Sequence, residues 1–142
     1  MDGTGRVLAR LARQVEVGLA TVDLSLAQYR FLALLAEGSS AASALASGLT
    51  VSRPSVTAVA DGLVSRGLVE RRADDDDRRV VGHTLTAKGR QMLEEADQAV
   101  SARLEGIAKH LEPAAAAEAF AGVRRWHQAL DGYRAEKLKA RR

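Results

Sequence analysis

Apolar residues recur along this chain with a helical period that lapses between Leu68 and Thr86. Between residues 5 and 22, Leu8, Leu11, Val15, Leu19 and Val22 fall three or four apart, one helical stripe. Asp23 to Ser25 breaks it. Ser25 and Gln28 then form a Ser-x-x-Gln capping box, opening a helix that carries Phe31, Leu32, Leu34 and Leu35. Gly38-Ser39-Ser40 ends that helix, and a short one is predicted from Ala41 to about Leu49. The next is predicted over Val51 to Arg66. Pro54 lies in its first turn, where a missing N–H costs little. Val56, Val59, Leu63 and Val64 point inward, and Gly67 suits the C-terminal cap.

The helical period then lapses. Leu68 to Arg72 and Arg79 to Thr84 are predicted to be two strands, joined by Ala73 to Arg78, whose four aspartates favour a solvated turn. Thr86 caps a long helix with Leu93, Ala96, Val100, Leu104, Ile107 and Leu111 along one seam. After Glu112-Pro113 a last helix carries Phe120, Val123, Trp126, Leu130 and Tyr133. This order predicts a mainly α fold with a small β-wing, a winged helix-turn-helix flanked by helices. One domain is expected over 1–142, with the winged helix-turn-helix at 24–86 and dimerisation helices at 1–23 and 87–142.

The dimer follows from energetics. Each fully buried Leu or Val contributes roughly 1.5–3 kcal/mol. Leaving the outer stripes in water would therefore forfeit much of a typical stability of about 5–15 kcal/mol. A second copy would cover them and aim two reading helices along one face of a duplex. The competing arrangement is an intramolecular helical bundle.

Composition narrows the class. The 142 residues are 46% apolar and 27% charged, an ordinary globular balance, but only 4% aromatic, so Ala, Leu and Val must build the core. With no cysteine, disulfides, thiolate metal sites and cysteine redox sensing are excluded. Arg6, Arg10 and Arg13 interrupt the apolar residues of the N-terminal helix, unlike a signal peptide, and no run approaches the ~20 apolar residues of a membrane span. A cytoplasmic protein with no membrane partner is expected. The net charge of +3 is uneven: Arg124 to Arg142 carries +5 and the other 123 residues −2. A basic tail suits a polyanion, although cations also complement the negative end of a helix dipole.

The candidate chemistry is recognition, with double-stranded DNA as partner. A recognition helix enters the major groove with its N-terminal residues foremost, here Ser52, Arg53, Pro54, Ser55 and Thr57. Arg53 can offer two N–H donors to guanine O6 and N7. Ser52, Ser55 and Thr57 can reach phosphates or base edges, or the serines can serve only as caps. At the wing, Arg79 is assigned to a narrow minor groove, Asp77 to orienting it and Arg78 to phosphate, against the alternative of a plain surface ion pair.

These residues resemble the multiple antibiotic resistance regulator (MarR) family of bacterial transcription factors. The resemblance runs from Leu24 to Gly89 through LSLAQYRFLALL, ALASGLTVSRPSVTAVADGLVSRGLVERR and DDDDRRVVGHTLTAKGR. Its most specific part is Asp77-x-Arg79, five residues, then Leu85-Thr86-x-x-Gly89. The flanking helices match only in pattern. It implies a homodimeric winged helix-turn-helix, usually a repressor and often released by a small-molecule effector. Such effectors often sit between the dimer helices and the DNA-reading lobe, where Tyr29, Trp126 and His127 are candidate contacts, with core packing as their other role. Two departures stand out. Thr50 replaces a common glycine, with Gly48 two residues earlier, and Ala58 and Gly62 occupy positions often basic in relatives, so fewer phosphate contacts are expected.

Other chemistry finds little support. Asp74 to Asp77 lacks the spacing, glycine and late Glu of a calcium loop, and His83, His110 and His127 are too scattered for a zinc motif. No nucleophile–base pairing, phosphate-cradling loop or dinucleotide fingerprint occurs, so no metal, cofactor or enzymatic activity is expected. The alternative function is a helical dimer that binds a small molecule or protein without reading DNA.

Overall fold

The computed structural model describes residues 3–39, 45, 46, 49, 52–73 and 81–140, apart from the side chains of Arg53 and Val81. Helix α1 spans Thr4–Ala20, α2 Leu26–Ala36, and α3 Arg53–Ser65. Strands β1 (Val69–Ala73) and β2 (Val81–Leu85) follow, then α4 (Ala87–Ala108) and α5 (Pro113–Ala140). This is a helical chain with a two-stranded antiparallel wing, as the period changes predict. Of the short helix expected over Ala41 to Leu49, only Leu45, Ala46 and Leu49 are described. They are helical and buried. The altered turn at Gly48 and Thr50 lies outside the described residues.

Local chemistry sets the helix ends. The Ser25 side chain accepts from the Gln28 N–H, and the Gln28 side chain accepts from the Ser25 N–H, closing the expected capping box. Helix α3 ends in a Schellman motif. Gly67, at φ +71°, donates to the Val64 carbonyl, and Leu68 donates to that of Leu63. Leu63 and Leu68 are both buried, supplying the apolar contact that accompanies this motif.

That cap corrects the strand boundary. Leu68 has its N–H committed to α3, so β1 begins one residue later than expected, at Val69. Val69 pairs with Leu85 and Arg71 with His83, so β2 runs one residue past the expected Thr84. Only Val69 of β1 is buried, and the rest of that strand is exposed. Similarly, α4 stops at Ala108 before Leu111, and α1 stops at Ala20 before Val22.

Contacts divide the chain into two units, Met1–Leu104 and Glu105–Arg142. The first holds the core, where Leu19, Phe31, Leu32, Val56, Leu63 and Val69 are almost fully buried. His83 joins it from β2, edge-on to Phe31 with ring centroids 5.5 Å apart. Helix α1 lies close against α4: a Cβ on Gly18 would come within 3.2 Å of the Ala99 carbonyl oxygen. Arg103 fastens this contact, donating through Nε and Nη2 to Gln14 Oε1 at 2.9 and 2.6 Å. Helix α5, in the second unit, has no buried residue. Among the described residues, no helix is long and apolar enough to cross a membrane.

Candidate nucleic-acid interface

Helix α3 has two unlike faces. Val56, Ala60 and Leu63 are fully buried, with Val59 and Val64 packed beside them. Pro54, Ser55, Thr57, Ala58, Asp61 and Ser65 are exposed. Burial of the first face in the core therefore forces the second outward, and the N-terminal half of that outward face is short-chained.

Ser52 is the N-cap. Its hydroxyl accepts from the Ser55 N–H at 3.4 Å and lies 3.0 Å from the Ser55 hydroxyl. Capping is thus an observed role for Ser52, and both serines remain exposed. Pro54 sits in the first turn as expected. That turn carries no acidic residue, so its N–H groups present a positive end to solvent. Arg53 is the first helical residue, though its side chain lies outside the described residues. Asp77, Arg78 and Arg79 also fall outside them.

Two links between elements here carry no signal in the sequence, although the Thr86 cap within the second was expected. Asp61, on the exposed face of α3, pairs with Arg71 of β1, tying the helix to the wing. This partly neutralises a carboxylate that would otherwise repel a polyanion. The end of α3 is also joined to the start of α4. Thr86 donates through Oγ1 to the Gly67 carbonyl at 2.6 Å and through its N–H to that of Leu68 at 3.2 Å. The same Oγ1 accepts from the Gly89 N–H at 3.0 Å, capping α4. The Gly89 bond satisfies one of the N–H groups that the start of a helix leaves without an intrahelical partner.

The effector candidates fall in different units. In the first, the Tyr29 hydroxyl donates to Asp97 Oδ1 at 2.6 Å, linking α2 to α4. Burial, then the hydrogen bond and charge of Asp97, push the phenol above its ordinary range. In the second, Trp126 is 69% exposed, and His127 Nε2 lies 3.6 Å from Asp131 Oδ2 on the same helix. Among the described residues, no group of three or more His, Asp or Glu side chains is placed to hold a metal.

The MarR family model matches residues 24–81, which cover α2, α3, β1 and the first residue of β2. The chain is 33% identical over 95 residues to YhbI, an uncharacterized HTH-type transcriptional regulator of Bacillus subtilis, covering 66% of this chain and 62% of YhbI. It is 45% identical over 53 residues to the transcriptional repressor MprA of Escherichia coli, covering 37% of this chain and 30% of MprA. The matches thus span under two thirds of these relatives' lengths. Among solved structures, apo MarR from Escherichia coli shares the fold, with a TM-score of 0.76 at 24% identity, covering 88% of this chain and 96% of MarR. The transcriptional repressor CouR, bound to a 23-mer DNA duplex, gives a TM-score of 0.72 at 28% identity, covering 90% of this chain and 92% of CouR.

Proposed function

We propose that the protein is a homodimeric, sequence-specific DNA-binding repressor of the MarR family, released by a small ligand, a reading supported by the family model that matches residues 24–81. The observation that carries this reading is the division of α3. One face is locked into the core, while the exposed N-terminal half has short side chains and no acidic residue in its first turn. Likeness to a repressor seen on a DNA duplex supports it.

In this reading Arg53 reads guanine, Ser52, Ser55 and Thr57 reach phosphates or base edges, and Pro54 lies among them at the groove. Arg79 enters the minor groove, Asp77 orients it and Arg78 contacts phosphate. The proposed effector contacts are Tyr29 in the first unit and Trp126 and His127 in the second. Family relatives are regulators rather than enzymes, and we assign this chain no catalytic role. The test is binding to the tightest duplex selected from random DNA. Arg53→Ala and Arg79→Ala should each weaken it by roughly 1–3 kcal/mol. Unchanged affinity in both variants would remove the reading.

A further inference from the structure

We infer that Arg66 is a positioning residue for DNA reading: it fixes the angle between α1 and α3, and so the half-site spacing that the dimer accepts. The inference rests on the dimeric DNA-binding reading above. Arg66 is the C-cap residue of α3 and is half-buried. Its Nη1 donates to the carbonyl oxygen of Asp23 at 2.7 Å and to Gln28 Oε1 at 3.4 Å. Asp23, at φ +57°, is where the chain turns from α1 into α2. Gln28 Oε1 already holds the Ser25 N–H in the capping box of α2. The Arg66 carbonyl in turn accepts from Lys88 Nζ of α4 at 3.0 Å. One residue therefore closes α3 and meets the turn between α1 and α2 and the starts of α2 and α4. A guanidinium suits this junction because its several N–H donors lie in one rigid plane.

Its position gives it leverage. Helix α3 has 13 residues and is thus about 20 Å long at about 1.5 Å per residue. A rotation of about 10° at the Arg66 end would move the Ser52 end by about 3.5 Å, close to the rise of one base pair. In a two-fold dimer held through α1, that movement is mirrored in the second copy. Half-site spacing is therefore the quantity a loosened junction would blur.

The test compares wild type, Arg66→Met and Arg66→Lys. Met keeps an apolar stem without donors, and Lys restores a point donor. Each is titrated against the tightest duplex selected from random DNA, and against the same duplex with one or two base pairs inserted between half-sites. Unfolding midpoints are measured alongside. Wild type should lose at least about tenfold on the first insertion. Arg66→Met should bind the parent duplex more weakly but lose less than about threefold on insertion, with Arg66→Lys between them. Simple destabilisation would lower binding to every duplex by one factor. That result, or a wild-type profile in Arg66→Met, overturns the inference and leaves DNA reading intact. Should Arg66→Met not fold, an Arg66→Lys profile as sharp as wild type overturns it equally. Wild type indifferent to spacing removes the inference together with the dimeric reading.

Discussion

At Gly89 an added Cβ would lie 2.0 Å from the Leu68 carbonyl oxygen, backbone against backbone, with a Leu85 methyl 3.3 Å away. Neither backbone can yield without moving the start of α4 from the end of α3. Gly89→Ala should therefore cost about 1–3 kcal/mol, seen as a lower urea midpoint. Gly106, with nothing within 4 Å of its added Cβ, is the control, and its replacement by Ala should gain about 0.5–1 kcal/mol. Equal responses at the two sites would contradict the close approach. Tyr29 gives a second residue-scale expectation. Its ionisation is pushed above the ordinary value of about 10, so the folded chain holds this proton where the unfolded chain releases it. The stabilisation is fully present below about pH 10 and is lost as pH rises toward the folded value. Urea midpoints of wild type should thus fall more steeply above pH 10 than those of Tyr29→Phe. Parallel curves would mean that neither burial nor the Asp97 bond shifts this proton.

At the scale of elements, α3 has one face buried in the core and an exposed face to which we assign recognition. Ala58 is exposed, and Gly62 lies one turn further along the helix. Each phosphate neutralised contributes about −0.9 to the slope of log affinity against log salt. Wild type should show a shallow slope, and Ala58→Lys should steepen it by about one unit. A slope unchanged by the lysine would place this face away from DNA. The same helix marks what could be read in advance. Its cap at Ser52, its proline in the first turn and its terminal Gly67 are local signals, each fixed by neighbours within a few residues. The strand boundary was displaced because Leu68 serves the helix cap before it can serve the ladder. Asp61–Arg71 joins residues ten apart across two elements, and Arg66 reaches back 43 residues to Asp23. No period or short motif announces such pairs, because only the packing of the elements brings them together.

At the scale of the molecule, apolar surface remains uncovered within each unit. Val7, Leu8 and Leu11 of α1 are exposed, as are Val123, Trp126, Leu130 and Tyr133 of α5. Exposed apolar area on this scale marks an interaction surface, and a second copy is the occupant we propose. Sedimentation at micromolar concentration should give a dimer, and Leu130→Arg should shift it toward monomer. A wild-type monomer would leave the two reading helices without a common frame. The most direct measurement is selection of duplexes from a random pool by the purified full chain at about 0.15 M salt. Paired half-sites whose centres lie about 10 base pairs or a multiple apart should be enriched by a dimeric DNA reader, and Arg53→Ala should weaken that enrichment. A pool that emerges without sequence preference would contradict that reading.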